Sequence, residues 1–398
     1  MRSFEKCPTT LICAAALAAV ASLAMIGEAR AVPAFARKYR MSCTTCHAPA
    51  PRLKPYGEDF AGNAFRLEDE EPVRFFPDTG DDLLLLQREL PVAVRFDAHM
   101  RYDHDEDTDA SDFQTPYGVK LLTGGNISDR IGYYLYFYMY EEGEVAGLED
   151  AYLHFNDFFG RDLDLMAGQF QVSDPLFKRE LRLTYEDYEI YKVEVGYSPT
   201  DLTYDRGLMF TYGTGVGFDA VFEVVNGNGI DEAEDDRFDD DAWKNFLLRV
   251  SQSAGPVRLG AFGYLGNSEM RRAGKDVESE IYYWGVDGTV DPTDNLQLNV
   301  QYLRRVDENP FFLLSGEEEY RTDGGFAELL YAPAGIDGRH WIVALYNYIE
   351  SDKAGLDYRS ETLAYGYLLR RNLRLTAEVT FEEVEEKWRL VGGFVSAF

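Results

Sequence analysis

The run Cys43-Thr44-Thr45-Cys46-His47 carries the most specific chemistry in the chain. In a C-x-x-C-H pattern two thiols bond to the vinyl groups of one haem, and the adjacent His supplies an iron ligand on one face. The competing chemistries for such a pair are a local disulfide or half of a zinc site. A structural zinc site needs four gathered ligands, and the five His are dispersed with no second pair of cysteines beyond the extreme N-terminus. The spacing points to one covalent haem c, attached at Cys43 and Cys46, with His47 as proximal ligand.

That segment needs an export route and walls. Arg2 and Lys6 precede an apolar run, Leu11 to Ile26, and Ala29-Arg30-Ala31 fits the small-x-small cleavage rule. Residues 1–31 are thus expected to be a signal peptide, with a retained anchor as the other reading. Cys7 and Cys13 would leave with it, and Thr10-Leu11-Ile12-Cys13 lacks the Leu of a lipoprotein box. Roughly 45 residues separate Val32 from the first strand-like run, too few to enclose a haem in a free-standing core. We read 32–80 as the haem segment, with a few apolar contacts around Pro51 to Phe60 and a short helix over Ala61 to Leu67.

The walls are expected from 81–398. Leu296, Leu298, Val300 and Tyr302 alternate with Asn295, Gln297, Asn299 and Gln301, and Leu373 to Phe381 alternate in the same way with Arg374, Thr376, Glu378 and Thr380. Aromatics at 14% and 35 Gly favour strands with tight turns over helices. A soluble sandwich would bury the apolar face; an outer-membrane barrel turns it to lipid and lines its lumen with the polar one. Runs of about ten residues separated by short turns and longer loops favour the barrel. So do aromatics at strand ends, as in Tyr133 to Tyr140, and an alternating last strand, Trp388 to Phe398, that resembles the assembly signal of outer-membrane proteins.

The predicted strands lie near 83–102, 116–125, 131–141, 148–157, 162–171, 204–213, 216–226, 243–253, 256–266, 280–290, 295–306, 320–331, 339–350, 357–370, 373–384 and 387–398. The fold class is all-β: an antiparallel outer-membrane barrel of about sixteen strands, both termini periplasmic, behind a short monohaem c-type cytochrome segment. This treats 172–203 as a long external loop, although Tyr188 to Tyr197 also passes as a strand. Folded inward, its Lys178, Arg179, Arg182 and Lys192 would make an anion-favouring constriction, but Glu180, Glu186, Asp187, Glu189 and Glu194 are interleaved with them.

On the first strand Val92, Val94, Phe96, Ala98, Met100 and Tyr102 take the lipid face and Arg95, Asp97, His99 and Arg101 the lumen. His99 is therefore a candidate distal haem ligand, against the plainer reading of a lumen His bonded to water or a carboxylate. Met41 is tethered closely to Cys43; His154, with Asp150, Tyr152 and Asn156 on a lumen face, and His340, near a periplasmic strand end, are weaker candidates.

The formal charge of −31 argues against a nucleic-acid partner and against docking on anionic lipid headgroups. Two acidic clusters fall outside the membrane: Asp103, Asp105, Glu106, Asp107, Asp109 and Asp112; and Asp231, Glu232, Glu234, Asp235, Asp236, Asp239, Asp240 and Asp241. They are either solvated loops or attractors of divalent cations. Ser-His-Asp sets, phosphate-cradling Gly loops and HExxH are lacking, so no hydrolytic chemistry is expected.

Pro33-Ala34-Phe35-Ala36-Arg37, then Met41 to His47, then Pro51-x-Leu53-x-x-Tyr56-Gly57-x-x-Phe60, resemble the N-terminus of the fused cytochrome–porins, the outer-membrane monohaem iron oxidases. The resemblance covers about 35 residues and departs after Phe60, where Asn63-Ala64-Phe65-Arg66 stands. It implies that Cys43 and Cys46 hold the haem, that His47 is an axial ligand, and that electrons pass between extracellular ferrous iron and periplasmic cytochromes. Gly168-Gln169-Phe170, Asp205-Arg206-Gly207 and Asn226 to Gly229 resemble landmarks of phosphate-selective porins. The leading expectation is an electron carrier, or a ferrous-iron:cytochrome oxidoreductase, in the outer membrane. The alternatives are a porin-like, anion-selective diffusion channel with an accessory haem, and a soluble periplasmic sandwich.

Overall fold

The computed structural model describes residues 34–67, 81, 90–105, 109–233, 235–239, 241–315 and 318–398, all within one compact unit. The expected signal peptide, positions 83–89 of the first predicted strand, and Glu106, Asp107, Glu234 and Asp240 of the acidic clusters lie outside the described residues.

Sixteen strands close into one antiparallel barrel. They are β1 (Val92–His104), β2 (Asp109–Ser128), β3 (Ile131–Glu141), β4 (Gly147–Phe155), β5 (Asp164–Gln171), β6 (Tyr204–Gly213), β7 (Phe218–Val225), β8 (Asn245–Ala254), β9 (Val257–Arg272), β10 (Lys275–Thr293), β11 (Leu296–Glu308), β12 (Glu319–Tyr331), β13 (His340–Ser351), β14 (Tyr358–Arg370), β15 (Leu373–Glu382) and β16 (Lys387–Ala397). Each pairs with its neighbours in sequence, and β16 returns to β1, where Val94 and Phe398 exchange backbone hydrogen bonds of 2.7 and 2.9 Å. Closure leaves no open edge, which the apolar interior of a membrane would not tolerate.

Burial follows the alternation inside out. On β8 Phe246, Leu248 and Val250 face outward and exposed, while Leu247, Arg249 and Ser251 are buried inward. On β11 Val300 is exposed while Asn299 and Gln301 are buried. A closed barrel with apolar residues outside and polar residues inside is stable against lipid, not water, so the chain is an outer-membrane β-barrel and the soluble sandwich is set aside. Short turns at 129–130, 255–256, 294–295 and 371–372 mark the periplasmic end, opposite the long connections 172–203 and 226–244.

The strand limits differ most from the sequence reading in two places. β9 and β10 continue beyond 266 and before 280, because the two-residue turn Ala273-Gly274, with φ of 49° and 81°, closes them as a hairpin. β2 begins at Asp109 rather than near 116, extending its pairing with β1.

The connection 172–203 folds into the lumen without a strand, forming only 3-10 turns at Arg179–Leu181 and Glu189–Lys192. The alternation of Tyr188 to Tyr197 is not used in a sheet because Tyr188, Ile190, Tyr191, Val193 and Val195 bury into a core inside the barrel. Tyr188 stacks on Phe326 of β12 with centroids 4.1 Å apart, and Phe177 meets the same ring edge-on at 5.1 Å.

Candidate functional site

The N-terminal segment is built from two short helices around a turn. α1 (Ala34–Tyr39) precedes the Cys/His run, and α2 (Pro55–Gly62) follows it. Pro55 at the first helical position presets φ for α2, and Asn63 ends it with Ala64 and Phe65 both at positive φ. The helix therefore lies over Pro55–Gly62 and not over Ala61 to Leu67, where the sequence reading put it. Its Gly57 faces the Cys46 carbonyl so closely that any Cβ there would collide with it, which brings α2 directly against the turn.

This segment closes the periplasmic mouth of the barrel. Arg52 reaches into the lumen to pair with Glu328 of β12 and donates to Gln297 of β11. Lys54 pairs with Asp337 of the β12–β13 turn at 2.5 Å. Phe35, Phe60 and Phe65 pack on one another, and Phe65 stacks on Tyr134 of β3 at 5.1 Å. Asn156 donates to Asn63 at 2.6 Å, and Ala64 sits over Gly132.

Within the turn, Cys43–Thr45 forms a 3-10 turn capped by the Ser42 hydroxyl, and the Cys43 carbonyl accepts from the backbone of His47 at 2.9 Å. That hydrogen bonding gathers both thiols and the imidazole on one short arc. Cys43 and Cys46 are free thiols, raised in pKa chiefly by burial. Burial also pushes the His47 pKa down, outweighing two backbone carbonyls that favour its charge. Its Nδ1 lies 2.8 Å from the Pro51 carbonyl and 3.3 Å from that of Arg52. A neutral ring donating from Nδ1 to a carbonyl keeps its lone pair on Nε2 and fixes the ring's orientation, as metal-ligating histidines require.

Cys43, Cys46 and His47 border a cavity of about 410 Å³ between the segment, the barrel wall and Lys178, Glu180 and Leu181 of the inward loop, a size in the ~300–1,000 Å³ range of cofactor sites. Apolar walls come from Ala34, Leu53, Phe60, Leu122, Leu368 and Val395, and Tyr134, Tyr136 and Tyr152 add aromatic faces. The cations there are Arg95, Lys178, Arg371 and Arg374. One of them, the buried Arg374, has no carboxylate partner among the described residues and an Nε without a hydrogen bond. Two thiols, an oriented neutral imidazole, apolar walls and an unmatched cation fit a haem with its anionic propionates.

Of the distal-ligand candidates, Met41 borders this cavity and His99, His154 and His340 do not. His99 does face the lumen, but deeper, with its ring edge-on to Tyr117 and Tyr185 at 5.2 and 5.3 Å. The inward loop supplies the Tyr185 that occupies its surroundings. His154 is buried 3.9 Å from Asp164, and His340 is exposed and bonded to the Tyr365 hydroxyl at 2.6 Å.

The loop cations are each matched: Lys178 to Asp174 and Arg179 to Asp187 at 2.5 Å, Lys192 to Glu189 at 2.7 Å, and Arg182 to Asp187 at 3.8 Å. They form no bare basic constriction. Among the described residues, no group of three or more His, Cys, Asp or Glu side chains is arranged to hold a metal ion; Asp109 pairs with His104 and Asp239 with Lys244. Sequence reasoning placed Arg95 and Arg374 on lumen faces by alternation but gave no signal of their shared cavity, because β1 and β15 meet only through β16.

No protein-family model and no curated protein matches the chain. Solved outer-membrane proteins do. OmpF of Salmonella typhi in complex with daunomycin has a TM-score of 0.53 at 12% identity, covering 78% of this chain and 97% of that one. In-vitro folded OmpT of Vibrio cholerae has 0.51 at 13%, covering 78% and 97%. The high-pH structure of OprB from Pseudomonas putida has 0.51 at 12%, covering 78% and 94%. At such identities the likeness is one of fold: a porin-like barrel.

Proposed function

We propose that the protein is an outer-membrane electron-transfer protein carrying one haem c at the periplasmic mouth of a filled barrel, between an extracellular donor such as ferrous iron and a periplasmic cytochrome. The observation that carries this reading is the cavity bordered at once by Cys43, Cys46 and His47 and walled by barrel strands. A haem bound there would supply reversible one-electron exchange. The residues around it do the rest. Cys43 and Cys46 would hold it covalently, His47 would ligate its iron, and Met41 is the sulfur donor that borders the same cavity. Apolar walls from both the segment and the strands exclude water and so set the potential through the local dielectric. The inward loop, packed on Phe326 and tied to Arg305 through the Thr200 carbonyl at 2.9 Å, would narrow the path for solutes beside the site.

A second reading, a porin-like diffusion channel with an accessory haem segment, is favoured by the fold shared with OmpF, OmpT and OprB. The two readings separate in proteoliposomes that hold oxidised cytochrome c inside and receive ferrous iron outside. Electron transfer requires the haem band to reduce and the internal cytochrome to follow; an unreduced haem together with large single-channel conductance in planar bilayers would favour the channel.

A further inference from the structure

Three arginines are buried among the described residues: Arg249, Arg305 and Arg374. Arg249 has Asp287 at 2.6 Å and Arg305 has Asp307 at 2.7 Å. Arg374 on β15 has no carboxylate. Its Nη1 donates to the Ala50 carbonyl of the haem segment at 3.3 Å, and its Nε is buried without a partner. The charged groups facing it are Arg95, Asp97 and Arg182. Asp97 is committed to Arg95 at 2.9 Å, and Arg182 lies by Asp187 at 3.8 Å. A guanidinium cannot shed its proton, and burying it without a carboxylate of its own is costly, so the buried Nε of Arg374 is a donor available to an anionic group in the cavity it borders. The cavity it borders is the one bordered by Cys43, Cys46 and His47.

We propose that Arg374 is the positioning residue that receives a carboxylate of the group held in this cavity, a haem propionate, and thereby couples the barrel wall to the redox centre. The proposal rests on the haem reading above. Arg371, which also borders the cavity, is exposed at the β14–β15 turn, where water already solvates it, so it is the comparison and not the anchor. A planar fork beside a propionate opposes the added positive charge of ferric iron less when it is removed, so its loss favours the oxidised state.

The test compares wild-type holoprotein with Arg374→Gln, Arg374→Lys and Arg371→Gln, purified from the outer membrane, by redox titration and by vibrational spectra of the propionates. Arg374→Gln is expected to raise the ferric-to-ferrous ratio at a fixed potential about tenfold, equivalent to about 59 mV for one electron, and Arg371→Gln less than twofold. Arg374→Lys keeps the charge and should hold the ratio within twofold while shifting the propionate bands, because an ammonium cannot bind a carboxylate in a bidentate fork. An unchanged potential in Arg374→Gln, or an equal shift in Arg371→Gln, overturns the proposal. Should Arg374→Gln fail to assemble, unchanged propionate bands in Arg374→Lys overturn it. Wild-type protein with no covalent haem would instead overturn the haem reading itself.

Discussion

The two ends of the lumen are completed differently. Toward the outside, the inward loop fills the barrel and satisfies its charges internally: Glu186 accepts from Arg389, Tyr358 and Ser360, Glu378 accepts from the backbone of Tyr185 and Glu186, and each loop cation faces a carboxylate. Toward the periplasm, the segment 34–67 closes the mouth around an apolar cavity bordered by two thiols and by a buried arginine that, among the described residues, has no carboxylate partner. The difference teaches that the two halves of the lumen are put together on different terms: one is a packed core with its charges matched internally, and the other borders an apolar cavity beside Cys43, Cys46 and His47.

Breaking the half that holds the cavity should have the largest effect. Cys46→Ala is expected to remove covalent haem, read by haem stain of a denaturing gel, while the barrel keeps its heat-modifiable migration. The segment is anchored through Arg52, Lys54 and Phe65 rather than through the thiols. Glu328→Gln would leave Arg52 as an unpaired buried charge, at a cost of about 3–5 kcal/mol. Trypsin should then cut after Arg52 much faster than in the wild type, and equal resistance would mean that the segment is held elsewhere. In the packed half, Tyr188→Ala removes the ring stacked on Phe326, costing about 3–5 kcal/mol of loop packing. Single-channel conductance should rise several-fold over a small wild-type value, and a high wild-type conductance would sharpen the channel reading instead.

The smallest effect is one of pH. Burial raises the Glu180 pKa, but Lys120 and Arg95 more than offset it and bring it down to about 2; Asp187 is likewise held low, by Arg182 and Arg179 against its burial. A folded pKa below the ordinary value near 4.5 contributes stability that is present above 4.5 and lost as pH falls toward about 2. Protection of the loop backbone from hydrogen exchange should therefore decline across that window and hold steady above it.

The barrel was legible because period two needs only neighbours in sequence: Leu296 to Tyr302 and Leu373 to Phe381 show both faces directly. The Cys43, Cys46 and His47 turn was legible for the same reason, being local. What was hidden depends on distant partners. Arg52 meets Glu328 across 276 positions, and the lack of a carboxylate beside Arg374 among the described residues depends on strands far apart in sequence. His99 was correctly read as lumen-facing, but alternation fixes a face and not a depth, so its distance from the cavity could not be read. The helix lies earlier than the Ala61 to Leu67 of the sequence reading because Pro55 starts it and Asn63 ends it.

The most direct measurement is the mass of the peptide containing Cys43 to His47 from protein isolated from its native outer membrane. One haem bound through two thioether links, with neither cysteine open to alkylation, is the expected result; recovery of that peptide with two alkylatable thiols and no haem would contradict the reading of this cavity.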